Sequence, residues 1–216
     1  MTDFVIPVVH EDAALLVVDK PLGLATIPER ELAVPSVQRL LEEARGERLF
    51  VVHRLDKEVS GLLVFARTAA AHRALSMAFE ARRVTKTYLA WAHGNVPADL
   101  RRVDAPLRQF GSGRMGVDLV RGKPSQTELQ VVEAGPKATR LLAHPITGRR
   151  HQIRVHLHHV GHALVGDPLY GPADLQRGLP RLYLHALRIE APHPDGGTLQ
   201  LEVPAPADFT PPFVTA

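Results

Sequence analysis

Two short apolar runs with a polar insert between them constrain this chain most. Leu49-Phe50-Val51-Val52 precedes the insert and Leu62-Leu63-Val64-Phe65-Ala66 follows it. Both runs are rich in β-branched and aromatic residues and too short for helices, so each reads as a buried strand. The insert, His53-Arg54-Leu55-Asp56-Lys57-Glu58-Val59-Ser60-Gly61, is then a loop held by a rigid sheet, where functional groups concentrate. Asp56 is the acid at its centre, with Arg54 two residues before it and Lys57 beside it. Neighbouring cations favour the ionised form of a carboxylate. Taken alone, an Asp between two strands is more often a turn former that bonds its own backbone.

Composition bounds the class. The chain has 216 residues, 45% hydrophobic and 23% charged, enough for a sizeable core. It has no cysteine, which excludes disulfides and thiolate metal sites. No apolar run approaches the ~18 residues of a membrane span. Met1-Thr2-Asp3-Phe4 has neither the basic start nor the apolar core of a signal peptide, so a cytoplasmic protein is expected. No linker or internal repeat divides the chain, and a single domain over 1–216 is expected, with a Pro-rich tail at 204–216.

Net charge is only +3, yet the cations are unevenly spread. Between Glu133 and Asp167 there is no acid, while Lys137, Arg140, Arg149, Arg150, Arg154 and six histidines fall there. Such a stretch suits a phosphate backbone, and a plain basic surface is the competing reading. The histidines also raise a metal site. On a helix His151 and His158 lie two turns apart, and His158 and His162 lack a nearby third ligand, so no metal is expected.

The remaining elements follow from punctuation and period. Residues 14–18 read as a strand stopped by Asp19-Lys20-Pro21-Leu22-Gly23. Pro35 and Ser36 suit the start, and Gly46 the end, of a helix over 36–45. Thr68 can cap a helix to about Arg83, with Ala71, Leu75, Ala78 and Phe79 on its packed face. Residues 86–94 read as a strand, 95–124 as short strands and a mobile basic loop, and 126–132 with 138–143 as a hairpin. Thr147-Gly148 opens a helix that Gly161 ends. On it Ile153, Leu157 and Val160 define an apolar face, and Arg150, Arg154 and His158 a second stripe. Residues 181–189 and 198–203 read as the last strands.

His53-Arg54-Leu55-Asp56 with Ser60-Gly61-Leu62-Leu63 and Phe65-Ala66 resembles the catalytic-aspartate signature of the RluA-type pseudouridine synthases. A second run resembles the family in the same order: Thr147-Gly148-Arg149-Arg150-His151-Gln152-Ile153-Arg154-Val155-His156-Leu157, then Gly161-His162 and Gly166-Asp167-Pro168-Leu169-Tyr170-Gly171. Lys86-Thr87-Tyr88-Leu89-Ala90 and Arg181-Leu182-Tyr183-Leu184-His185-Ala186 match further family runs. The likeness spans about Leu15 to Val203.

The resemblance implies one α/β (α+β) catalytic domain, with a mixed, mostly antiparallel sheet, flanking helices and a central basic cleft. It implies isomerisation of uridine to pseudouridine in ribosomal or transfer RNA, without cofactor, by a compact monomer with no separate N-terminal RNA-binding module. It also implies site residues: Asp56 as the catalytic carboxylate, Tyr88 against the target uracil and Arg154 paired with the aspartate. Arg54 would fill the space of the displaced base. His53, Lys20, Arg149, Arg150 and His151 would line the RNA-facing rim. Val59 stands where the family usually has Thr, Arg150 where it often has Thr, and Ser125 replaces a common Ala. A catalytically silent RNA-binding protein of the same fold is the alternative reading.

Overall fold

The structure, a computed structural model, describes residues 5–28 and 34–214. The elements are, in order, β1 (Val8–Glu11), β2 (Leu15–Lys20), α1 (Val37–Arg45), β3 (Phe50–Val51), β4 (Ser60–Ala66) and α2 (Ala69–Glu80). Then come β5 (Thr85–His93), β6 (Arg102–Asp104), β7 (Leu107–Gln109), β8 (Met115–Val117), β9 (Gln126–Ala134) and β10 (Ala138–Pro145). The chain closes with α3 (Gln152–His159), α4 (Ala173–Gln176), β11 (Leu184–Pro192) and β12 (Thr198–Glu202). Packing divides it into two compact units, residues 1–86 with 186–204, and 87–185 with 205–216.

In the first unit β2 pairs antiparallel with β1 and β4, β3 with β4, and β11 with β12. Every residue of β4 is buried, and from Leu62 to Ala66 its sequence is apolar without alternation. Leu15 and Val17, then Leu62, Val64 and Ala66, alternate onto one face. There they meet Ala71, Leu75 and Ala78 of α2, with Ile189 and Leu199 beside them. The caps fall where the sequence set them. Ser36 accepts the Arg39 N–H, Thr68 accepts the Ala71 N–H, and Gly46 ends α1 in the left-handed region at φ 65°. Gly61 has φ 111°, and a Cβ there would lie 2.3 Å from the Ala186 carbonyl oxygen, so β4 and β11 approach too closely for a side chain.

The second unit has an antiparallel sheet in the order β5-β10-β9-β6. The 95–124 segment resolves into β6 and a separate β7–β8 hairpin. α3 packs on β9 and β10. In the C-terminal segment Phe209 is buried with Trp91, Val165 and Tyr183, and its carbonyl accepts the Trp91 indole N–H at 2.9 Å. Asp208 pairs with Arg181 at 2.8 Å. Prolines forbid strand and helix there, but they leave apolar side chains able to pack.

Candidate active site

Asp56 sits in the turn between β3 and β4, half-buried. Few regular backbone bonds exist in such a loop, so its shape depends on other groups. Lys20 supplies most of them. Its side chain is fully buried, and its ammonium donates to the carbonyls of Pro21 and Leu24, both at 2.8 Å, and of Lys57 at 3.2 Å. The Gly23 N–H also donates to the Lys57 carbonyl. Thr26 clamps Leu55 twice: its hydroxyl donates to the Leu55 carbonyl at 2.9 Å and accepts the Leu55 N–H at 3.1 Å. The Val59 N–H closes the turn on the Asp56 carbonyl at 3.0 Å. The residues on both sides of Asp56 are thus pinned.

Burial lowers the Lys20 pKa to about 7, against the opposing pull of Glu58, Asp56 and Asp19. A lysine expected at an RNA-facing rim instead holds the loop from within. His53 is corrected in the same way. Its ring stacks on Phe79 at 5.3 Å, and its Nε2 accepts the Val64 N–H at 3.1 Å. Burial first, and then Lys86, push its pKa down to about 3, so it is a neutral acceptor bracing β4. Arg54, next in sequence, is exposed.

In the second unit, Tyr88 opposes Ala143 of β10, which opposes Leu129 of β9. Alternation sets these on the face that carries Thr127, where α3 lies: Thr127 bonds His156 at 2.8 Å. Tyr88 is half-buried on that face. Arg154 comes from α3 and is 1% exposed. Its Nε and Nη2 donate to Asp167 Oδ2 and Oδ1, each at 2.8 Å. Its guanidinium carbon lies 5.3 Å from the Tyr170 ring centroid.

The expected stripe of Arg150, Arg154 and His158 does not form. The helix starts only at Gln152, with His151 as its left-handed N-cap at φ 53°, so Arg150 lies outside it. Residues 151–157 are all buried, and His158 and His159 are exposed. The acid-free interval is therefore no uniform basic face. Arg154, His151 and His156 turn inward, while Lys137, Arg149 and Arg150 face solvent. His151, expected at the RNA rim, shares a hydrogen bond between its Nδ1 and the Tyr170 hydroxyl at 2.8 Å. Arg149 and Arg150 donate to the carbonyls of Pro124 and Gly113.

Sequence reading placed Asp167 and Tyr170 in the second run but gave neither a role. A signal existed: an arginine on a buried helix face needs an acid, and Asp167 is the first acid after Glu133. Among the described residues, the cluster with metal-ligand types is His10, Asp12 and His193, away from these positions in sequence. His193 Nδ1 accepts the Asp195 N–H, so its Nε2 carries the proton and donates to Asp12 at 3.0 Å; the group is a hydrogen-bonded clasp.

The family description "RNA pseudouridylate synthase" matches residues 14–159. The chain belongs to this family. Its reaction isomerises uridine in RNA to pseudouridine, and the chain is an RNA pseudouridine synthase, which sets aside the silent-binder alternative. The chain is 38% identical to dual-specificity RNA pseudouridine synthase RluA of Escherichia coli K12 over 212 residues, covering 94% of this chain and 93% of that one. It is also 38% identical to ribosomal large subunit pseudouridine synthase C of Vibrio vulnificus, covering 87% of this chain and 61% of the relative. Human RNA pseudouridylate synthase domain containing 1 has a similar solved structure, with TM-score 0.79 and 30% identity over 93% of this chain and 84% of that one. The family's α/β fold, largely antiparallel with few helices, is the one observed here.

Proposed function

We propose that Asp56 is the catalytic carboxylate of a synthase acting on specific uridines of ribosomal RNA, transfer RNA or both. The observation that carries the assignment is the pinned loop: Asp56 lies at the centre of the family's signature, on a turn clamped by Lys20, Gly23 and Thr26. Such pinning is what a group that must meet a substrate atom requires. The RNA classes follow from the relatives, which are named as dual-specificity and ribosomal large subunit synthases.

In this reading the bond from ribose to the base nitrogen breaks, the base turns, and a bond forms to base carbon 5. Atoms and electrons balance without a redox partner. Asp56 starts the reaction as an ionised carboxylate, by adding to the substrate or by taking the ribose carbon 2 proton. Arg154 orients the carboxylate, and Tyr88 holds the detached uracil so that water does not compete for the intermediate. Extruding the base costs about a few kcal/mol, and Arg54, exposed on the same loop, takes the vacated place. Arg149 and Arg150 contact the backbone phosphates. The protein works as a cytoplasmic monomer.

The test is pseudouridine mapping of ribosomal and transfer RNA from cells with and without the protein, with add-back of wild type or Asp56→Asn. Sites lost with the protein and restored only by wild type support the reading and name the substrate. Sites restored by Asp56→Asn contradict it.

A further inference from the structure

Tyr170 ties three parts of the second unit to one ring. Its hydroxyl accepts the Met115 N–H of β8 at 3.1 Å and is hydrogen-bonded to His151 Nδ1 at 2.8 Å. Its ring lies 5.3 Å from the Arg154 guanidinium carbon and 5.4 Å from that of Arg114, which precedes β8. Both are within reach of cation–π attraction. Tyr170 itself is 3% exposed and packs with Leu107 and Val155, while Met115 and Val117 cover it. Asp167 completes the arrangement. One oxygen, Oδ1, accepts the N–H groups of Leu169 and Tyr170 as well as Arg154 Nη2; the other takes Arg154 Nε. The same carboxylate therefore fixes the turn that presents Tyr170 and the plane of the Arg154 guanidinium.

We propose that Asp167 and Tyr170 are positioning residues for Arg154. Asp167 grips one edge, Nε and Nη2, so the direction of the remaining nitrogen, Nη1, is set before substrate arrives. The Tyr170 ring prevents the guanidinium from tilting. The proposal rests on the role of Arg154 given above.

The experiment is a double-mutant cycle, read as the single-turnover rate of pseudouridine formation in an unmodified transcript carrying a uridine that wild type converts. RNA affinity is measured alongside by filter binding. Asp167→Asn keeps an acceptor for the turn and removes the charge. It is expected to lower the rate about tenfold or more with RNA affinity within about threefold. In an Arg154→Lys background, where the two-point grip is already lost, the same substitution should cost less than about threefold. Tyr170→Leu leaves the ion pair intact and carries the same cycle if Asp167→Asn does not fold. Its expected loss is about fivefold, again suppressed in the Arg154→Lys background. Equal losses in both backgrounds overturn the positioning roles and leave Arg154 standing. An Arg154→Lys protein with the full wild-type rate overturns the role of Arg154 and this proposal with it.

Discussion

Arg154 and Asp167 form a two-point ion pair, Nε to Oδ2 and Nη2 to Oδ1, with side chains 1% and 0% exposed. Breaking such a pair from one side takes the two-point partner away from a buried guanidinium. Asp167→Ala is therefore expected to cost about 3–5 kcal/mol. For a chain of this size that is a fall in Tm on the order of 10 °C, readable by calorimetry. A Tm unchanged by the substitution would show that water or another group compensates Arg154.

The Lys20 ammonium meets three carbonyls around the Asp56 turn. Lys20→Met keeps the apolar stem and removes all three donors. The expected cost is about 2–3 kcal/mol, together with faster amide exchange at residues 55–59. With its pKa lowered to about 7, folded Lys20 binds fewer protons than the unfolded chain between about pH 7 and the ordinary lysine value near 10.5. Its contribution to stability therefore rises with pH across that window. Urea titrations of wild type and Lys20→Met at pH 6.5 and 9 check the sign: the difference between the two proteins should widen as pH rises.

His53 contributes on the acid side. Its pKa, pushed down to about 3, means that the unfolded chain takes up a proton near the ordinary histidine value of 6.5 and the folded chain does not. Stability is thus fully present above about 6.5 and declines as pH falls toward 3. The ring should stay neutral through pH 5 in a nitrogen-detected NMR titration. A His53 resonance titrating near 6.5 would contradict the bond from Val64 to Nε2.

Asp12 should add a second acid-labile step. Burial raises its pKa, but bonds from His10, the N–H groups of Leu15 and Ala14, and His193 outweigh this and hold it well below the usual carboxylate range. The resulting stability is present above the unfolded value near 3.9 and is lost as pH falls further. Asp12→Asn should flatten the pH dependence of Tm below about pH 4 relative to wild type.

Much of this was legible because it is local. Ser36, Thr68 and Gly46 cap helices through bonds to residues three or four away, and the burial of β4 is written in an unbroken apolar run. The Asp56 loop was legible from its contrast with those flanks. What stayed hidden depends on partners distant in sequence. Nothing near Lys20 says that the carbonyl of Lys57 will receive its ammonium, and nothing near His53 says that Phe79 will stack on it. The 147–161 run misled in a specific way. Its apolar and basic positions fit a helical stripe from Arg150, but the left-handed His151 delays the helix, and Arg154 turns inward to Asp167. Charge along a sequence carries no sign of which cations are buried.

The most direct measurement incubates the purified protein with unmodified ribosomal and transfer RNA transcripts and counts pseudouridine, for wild type and Asp56→Asn, with RNA binding measured in parallel. The expected result is site-specific pseudouridine with wild type, none with Asp56→Asn, and RNA affinity equal within about threefold. Pseudouridine formed at the wild-type rate by Asp56→Asn would contradict the assignment of Asp56 as the catalytic carboxylate.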